Sequence, residues 1–318
     1  MRLFESAQYK FIEARRKAYV ISGIALLATF AAMAFNIVSI GSWLNYGVDF
    51  TGGSLVQVRF DVEANDASVR AALGGADSPP VTRFGDENEF VIRAPIVEGQ
   101  TINEVAADVE AQLAAAFGAG SFDIVRQELV GAKVGNELQL KALYAILFSF
   151  VLTLMYLAIR FELRFGMAAV IATMHDILLT LGFLALFRFE IALPTVAAIL
   201  TILGYSLNDT IVVFDRIREH LHEKGARKRD PIDLVNQSIN ETLPRTILTS
   251  GTTLAVLVAL LVLGGVVIRD FTIVLILGVI IGTYSSIFVA SPALIEIQNR
   301  YGLGKSGEKK PKPQPATV

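Results

Sequence analysis

Gly204-Tyr205-Ser206-Leu207-Asn208-Asp209-Thr210-Ile211-Val212-Val213-Phe214-Asp215-Arg216-Ile217-Arg218-Glu219 closes an apolar run with a carboxylate still inside it. The run, from 192 to 214, is near the roughly twenty residues a helix needs to cross the hydrocarbon of a bilayer. Counting back from Asp215, the first plainly wet residue, at about 1.5 Å per residue puts Asp209 about 9 Å inside the boundary. An ionisable group at that depth is costly and marks a candidate functional site.

Five further apolar runs flank this one, at about 18–40, 140–159, 166–187, 246–264 and 271–293. With 53% hydrophobic residues in 318 and a mean hydropathy of +0.54, the chain is too apolar for an ordinary soluble protein. It reads as a polytopic α-helical membrane protein with one span, a polar domain, then five spans. The absence of cysteine excludes disulfides, thiolate metal sites and cysteine nucleophiles, and no metal or cofactor is expected. A net charge of -2 gives no footing for nucleic acid. The first run follows Lys10, Arg15, Arg16 and Lys17 and is too long for a signal-peptide core, so it reads as a retained span.

Basic residues set the expected orientation. The amino terminus, the 160–164 turn, the 215–245 loop and the tail hold 19 of the 28 Lys and Arg. The two short opposite loops hold only Arg188 and Arg269. Both termini are therefore expected in the cytoplasm, and the polar domain on the exported side.

The expected organisation is a cytoplasmic amino terminus over 1–17, a first span over 18–40, an exported α+β domain over 41–136, a five-helix bundle over 137–300 and a disordered basic tail over 301–318. Within the domain, Leu55 to Phe60 alternates apolar and polar residues, and Ala67 to Leu73 suits a short helix. Val81–Phe84 and Glu89–Arg93 flank Gly85-Asp86-Glu87-Asn88, a turn candidate. Thr101 with Glu104 forms a capping box for a helix through Phe117, and Phe122–Val130 supplies the last strand. The order βαββαβ is ferredoxin-like. No catalytic set is visible in it.

Asp209 has the hydroxyls of Tyr205 and Ser206 four and three residues before it, positions from which they face it on one helix. Removal from water penalises the charged form of a carboxylate, which lets a group here bind and release protons. A structural aspartate paired with an arginine is the competing reading. Asn208-Asp209-Thr210 matches a glycosylation sequon, a chance match inside an apolar span. Arg245, after Pro244, is the natural counter-charge, and Thr246, Thr249, Ser250, Thr252 and Thr253 give its helix a hydroxyl-rich face. Alternatively Arg245 snorkels and the hydroxyls bond their own helix.

His175 and Asp176 sit mid-span and either extend a proton path or hold helices together. Gly278, Gly282 and Ser286 form a stripe of small residues for close helix packing. Gly47-Val48-Asp49-Phe50-Thr51-Gly52-Gly53 reads as a tight connection into the first strand, with Asp49, Gly52 and Gly53 structural. Phosphate cradling there is disfavoured because no helix follows. The 215–243 segment suggests a helical extension and then an amphipathic helix along the inner surface, built on Ile232, Leu234, Val235, Ile239 and Leu243.

The segment Gly47–Gly53, His175-Asp176, Gly204–Glu219, Pro244-Arg245-Thr246 with Thr249-Ser250, and Gly282-Thr283-Tyr284-Ser285-Ser286 together resemble the SecF family of the bacterial SecD–SecF protein-export complexes, in the RND transporter superfamily. They occur in the family's order over nearly the whole chain except the tail. The resemblance implies a six-span bundle in the bacterial inner membrane, paired with a SecD bundle, and an exported domain beside the SecYEG channel.

It further implies use of the proton-motive force to complete translocation of preproteins pushed by SecA, with YajC and YidC as possible further partners. In membership of that family Asp209 and Arg245 carry the important charges, with Asn208 and Thr210 beside the first, and one aspartate of the path belongs to SecD. The chain length is that of a separate subunit rather than a fused polypeptide. Two alternatives stand: half of a proton-coupled small-molecule exporter, and an intramembrane aspartyl protease built on Asp176 and Asp209, although the Gly-x-Gly-Asp pattern is missing.

Overall fold

The computed structural model describes residues 8–75, 78–84, 88–95, 101–223, 229–265 and 268–301. Six of its helices are long and apolar enough to cross a membrane. They are α1 (Arg15–Ile40), α5 (Ala132–Arg160), α6 (Leu163–Leu186), α7 (Leu193–His222), α8 (Pro231–Leu263) and a final span that begins with α9 (Arg269–Ser285). That final span passes through a π-helical turn at Ser286–Ala290 and ends as α10 (Ser291–Tyr301).

Between α1 and α5 lies the α+β domain. After a short strand β1 (Asn45–Tyr46) and a one-turn helix α2 (Val48–Thr51) come β2 (Gly53–Phe60), α3 (Asp66–Ala72), β3 (Val81–Phe84), β4 (Glu89–Pro95), α4 (Ile102–Phe117) and β5 (Phe122–Val130). The strands form one antiparallel sheet in the order β3-β4-β2-β5. This is the arrangement the βαββαβ reading requires, because each helix leads from an inner strand, β2 or β4, to a non-adjacent edge strand, β3 or β5.

Period-two alternation in β2 buries Val56, Val58 and Phe60 with Phe90, Ile92 and Leu113. Thr101 and Glu104 form the expected capping box, with Glu104 Oε2 2.6 Å from the Thr101 amide. A second box at Asn65 and Ser68 starts α3. The turn candidate at 85–88 lies outside the described residues except for Asn88, and the tail beyond Tyr301 lies outside them as well.

Several helices outrun their apolar segments. The helix α8 starts at Pro231, well before the apolar run at 246, with Asp230 accepting from the Ile232 amide at 2.8 Å. The amphipathic segment expected along the inner surface is thus the first half of α8 itself. Its apolar face is buried in protein, with Leu234 and Ile239 each 1% exposed among Ile12, Phe165, Phe214 and Leu294. Residues before α1 are tied to the same half-helix: Asn240 Oδ1 accepts from the Tyr9 amide and Asn236 Oδ1 from the Ile12 amide, each at 2.9 Å.

The glycine-rich connection also contains more structure than the sequence suggests. Its Val48–Thr51 turn is helical, and Asp49 Oδ2 accepts from the Leu193 amide at 2.9 Å, capping the start of α7. The short strand β6 (Glu190–Ile191) pairs in parallel with β1. At Gly53, φ is 152° and an added Cβ would lie 2.4 Å from the Ala94 carbonyl oxygen. This knot joins the end of α1, the sheet and the α6–α7 connection.

Candidate functional site

Helix α9 crosses α7 at the small-residue stripe. A Cβ on Gly278 would lie 2.2 Å from Ile202, and one on Gly282 would lie 2.9 Å from Ser206 Cβ. Glycine at both positions lets the two backbones approach. One turn further along the stripe, the close crossing delivers Ser286 to Asp209.

Asp209 is 7% exposed. Its Oδ2 accepts from Ser286 Oγ and its Oδ1 from Thr246 Oγ1 of α8, both at 2.6 Å. Two short bonds from hydroxyls on separate helices compensate the lost hydration of the carboxylate. Ser286 opens the π-helical turn, where its Oγ also lies 3.0 Å from the Thr283 carbonyl oxygen and its own carbonyl accepts from Ser291 Oγ at 2.9 Å. The widened turn is a feature that recurs at functional positions in helices. Sequence reasoning assigned Ser286 to packing alone; the three clustered hydroxyls at 283, 285 and 286 were the available signal.

The hydroxyls next to Asp209 on its own helix do not bond it. Ser206 donates to Asp176 Oδ2 at 2.5 Å and Tyr205 donates to Ser250 Oγ at 3.3 Å. Neighbouring helices claim both groups. On α8 the expected hydroxyl face divides: Thr246 and Ser250 are buried and reach other helices, the latter bonded to Thr283 Oγ1 at 2.7 Å. Thr249, Thr252 and Thr253 bond carbonyls of their own helix.

Arg245 is exposed, and no ion pair of 4.0 Å or less joins it to Asp209 among the described residues. Its charge acts on Asp209 through space. Together with Asn208, Ile211, Val212, Arg160 and Asp215 it lines a cavity of about 260 Å³ on the flank of α7. Thr210 is buried at 1% exposure.

A second buried polar cluster surrounds Asp176, 1% exposed, on α6. His175 Nδ1 lies 3.1 Å from Asp176 Oδ1, and its Nε2 lies 3.0 Å from Ser22 Oγ of α1. Ser206 links this cluster to α7 three residues before Asp209. The two carboxylates share no hydrogen bond, having separate donors. Ser22 and Tyr284 were not among the residues selected from the sequence as participants. A lone serine in an apolar span carries no periodic signal, and only the packing of α1 against α6 reveals it.

Glu190, outside the spans, pairs with Arg93 of β4 at 3.6 Å. Burial pushes its carboxyl above the usual range; Arg93 opposes this, and Asp49 and Asp270 add to it. Among the described residues no cluster of three or more histidine, aspartate or glutamate side chains has the geometry of a metal site.

The family description "Protein export membrane protein SecD/SecF, C-terminal" matches residues 109–300, and "SecD/SecF GG Motif" matches residues 37–64. The chain is 44% identical over 309 residues to the protein translocase subunit SecF of Gemmatimonas aurantiaca, covering 95% of this chain and 90% of that one. It is 42% identical over 284 residues to the SecF subunit of Vibrio alginolyticus, covering 87% and 88%.

Among solved structures, SecDF of Thermus thermophilus, described as a translocon-associated membrane protein, superposes with a TM-score of 0.76 at 36% identity. That match covers 94% of this chain and 40% of the other. The super-membrane-facing form of SecDF gives 0.69 at 34% identity. The chain thus spans about two-fifths of the length of the solved SecDF chains.

Proposed function

The chain belongs to the SecF family of protein translocase subunits, and from that premise we propose that proton binding at Asp209 drives its part in protein export. As a SecF-type subunit it is an accessory of the Sec export machinery rather than an enzyme, and SecD is its partner. The observation that carries the proposal is the pair of hydroxyl bonds to a carboxylate buried within an apolar helix. A hydroxyl both donates and accepts, so Ser286 and Thr246 suit either charge state of the group they hold. When Asp209 is ionised, both donate to it. When it is protonated, its O–H donates to Ser286 Oγ, whose hydrogen turns to the Thr283 carbonyl 3.0 Å away.

Loss of the charge keeps both bonds but weakens them, because a hydroxyl holds a carboxylate more strongly than a neutral carboxyl, and this difference biases the bundle between two arrangements. A switch needs a difference in stability between two states, and one buried proton provides it. Arg245 tunes the site from the flanking cavity, with Asn208 beside it. The cavity offers water a route from the Arg160–Asp215 end of α7 to within one residue of Asp209. Tyr205 and Ser250 hold α7 and α8 in register, while Asp49, Gly52 and Gly53 transmit bundle movement to the α+β domain.

In this reading the protein is a multi-pass component of the bacterial inner membrane with both termini in the cytoplasm, and 41–136 is periplasmic. SecYEG, with SecA-driven preproteins, is its working partner, and YajC and YidC join the assembly. An aspartyl dyad would need Asp176 and Asp209 to share a proton; their separate hydrogen-bond partners support export over proteolysis.

The test is export into vesicles containing SecYEG, SecA, SecD and this chain, with and without a proton gradient. Asp209→Asn is expected to remove the gradient-dependent component while the variant still co-purifies with SecD. Gradient-dependent export at the wild-type level in that variant overturns the proposal.

A further inference from the structure

Three small polar residues on α1 face α6 at intervals of seven: Ser22, Thr29 and Asn36, all buried. Asn36 Nδ2 donates to the Ala185 carbonyl at 2.9 Å, and Thr29 packs so tightly on Gly182 that any Cβ there would collide with it. Ser22, at the third point of this seam, meets the ring of His175.

We propose that His175 is a second proton-binding position of the bundle and that Ser22 conveys its state to α1, the helix leading into the α+β domain. The inference deepens the reading of Asp209 as a proton switch and rests on it.

The hydrogen bonds around His175 close in either protonation state. In the neutral ring, Nδ1–H donates to Asp176 and Nε2 accepts from Ser22 Oγ at 3.0 Å. Tyr284 Oη lies 3.2 Å from Ser22 Oγ and donates to the Ala18 carbonyl at 3.1 Å. Adding one proton at Nε2 makes that nitrogen a donor to Ser22 Oγ. The Ser22 hydrogen then turns to Tyr284 Oη, and Tyr284 keeps its donation to Ala18. No polar atom is orphaned in either state. In the neutral state each hydroxyl hydrogen is already committed and nothing is donated between Ser22 and Tyr284; the added proton frees Ser22 to donate to Tyr284 Oη, a bond from α1 to α9 that only the charged state makes.

The new positive charge lies against Asp176, whose Oδ2 is held by Ser206. Asp176 from α6 and Tyr284 from α9 are the titratable groups facing the ring, while α1 and α7 contribute the hydroxyls of Ser22 and Ser206. The Tyr284 ring lies near-parallel to that of His175, with centroids 6.3 Å apart and 27° between the planes. A bond whose direction reverses, at the seam point of α1 that meets His175, couples proton occupancy to the register of that helix.

The inference is tested with ¹⁵N-histidine-labelled full chain, reconstituted with SecD in lipid nanodiscs and followed by NMR from about pH 5 to about pH 8, the range in which histidine ordinarily titrates. His175→Gln assigns the signal. Nε2 is expected to pass from acceptor to donor while Nδ1 keeps its proton; Ser22→Ala should move the Nε2 resonance and Ser22→Thr restore it. A single tautomer and charge state across that range, or an Nε2 signal indifferent to Ser22→Ala, overturns it.

In the export assay, Ser22→Ala and His175→Gln should lose gradient dependence and Ser22→Thr keep it. Loss in Asp209→Asn beside wild-type behaviour in His175→Gln and Ser22→Ala overturns this inference alone. Retained gradient dependence in Asp209→Asn overturns the reading beneath it.

Discussion

Ser286, first residue of the π-helical turn, donates to Asp209 Oδ2 at 2.6 Å across the crossing of α9 and α7. The bond joins elements 77 residues apart in sequence. It exists because Gly278 and Gly282 allow the two helices to approach.

Gly282→Ala should therefore injure the site without removing a polar group. The added methyl meets Ser206 Cβ at 2.9 Å, and overpacking of this kind costs about 1–3 kcal/mol. Thermal unfolding of the purified chain in detergent should show the loss, and gradient-dependent export should fall with it. An unchanged unfolding midpoint would count against the tight crossing.

Ser286→Ala deletes one of the two donors to Asp209 and leaves the helix packing intact. Removing one partner of a buried charged group costs about 1.5–3 kcal/mol. Export should become less dependent on the gradient, and Ser286→Thr should preserve more of it than Ser286→Ala. Equal behaviour of the two variants would mean that the hydroxyl is idle.

Gly53→Ala combines a positive φ with a 2.4 Å clash against the Ala94 backbone oxygen. Backbone cannot step aside as a side-chain tip does, so the substitution should destabilise the α+β domain by roughly 3 kcal/mol or more. Amide exchange in β2 and β4 of the full chain should accelerate, while α6 and α7 keep their protection.

Glu89 gives a pH prediction for the same domain. Gln57 Nε2 donates to it at 2.7 Å and Arg59 pairs with it, and these contacts hold its carboxyl below the usual range. A lowered folded value means that the stabilisation is complete above the unfolded value, near pH 4.3, and fades as pH falls through the folded one. Exchange protection of β2 should drop in that acid window, and Glu89→Gln should remove the dependence. A pH-independent wild type would refute the pairing.

Asn236→Ala and Asn240→Ala should free the segment before α1. Each asparagine accepts from a backbone amide there, at Ile12 and Tyr9, and such bonds contribute about 0.5–1.5 kcal/mol apiece. Limited proteolysis near Lys10 should quicken in the double variant. Unchanged cleavage would place the strap's stability in the burial of Ile12 alone.

The sequence by itself determined the six spans, the strand and helix order of the α+β domain and the place of Asp209 inside an apolar helix. These follow from local rules: a helix must be long enough to cross hydrocarbon, and strands alternate at period two. The Thr101 capping box was legible for the same reason, since donor and acceptor are three residues apart.

Only the tertiary structure decided which groups meet. Arg245 and Thr246 are adjacent in sequence but point about 100° apart around their helix, so when α8 turned Thr246 toward Asp209 it turned Arg245 to the flanking cavity. The pairings of Ser286 with Asp209 and Ser22 with His175 likewise depend on how closely helices approach and how each is rotated. Those quantities are set by glycines and small residues acting across the bundle, and a hydropathy pattern along one helix contains no record of its neighbour's rotation.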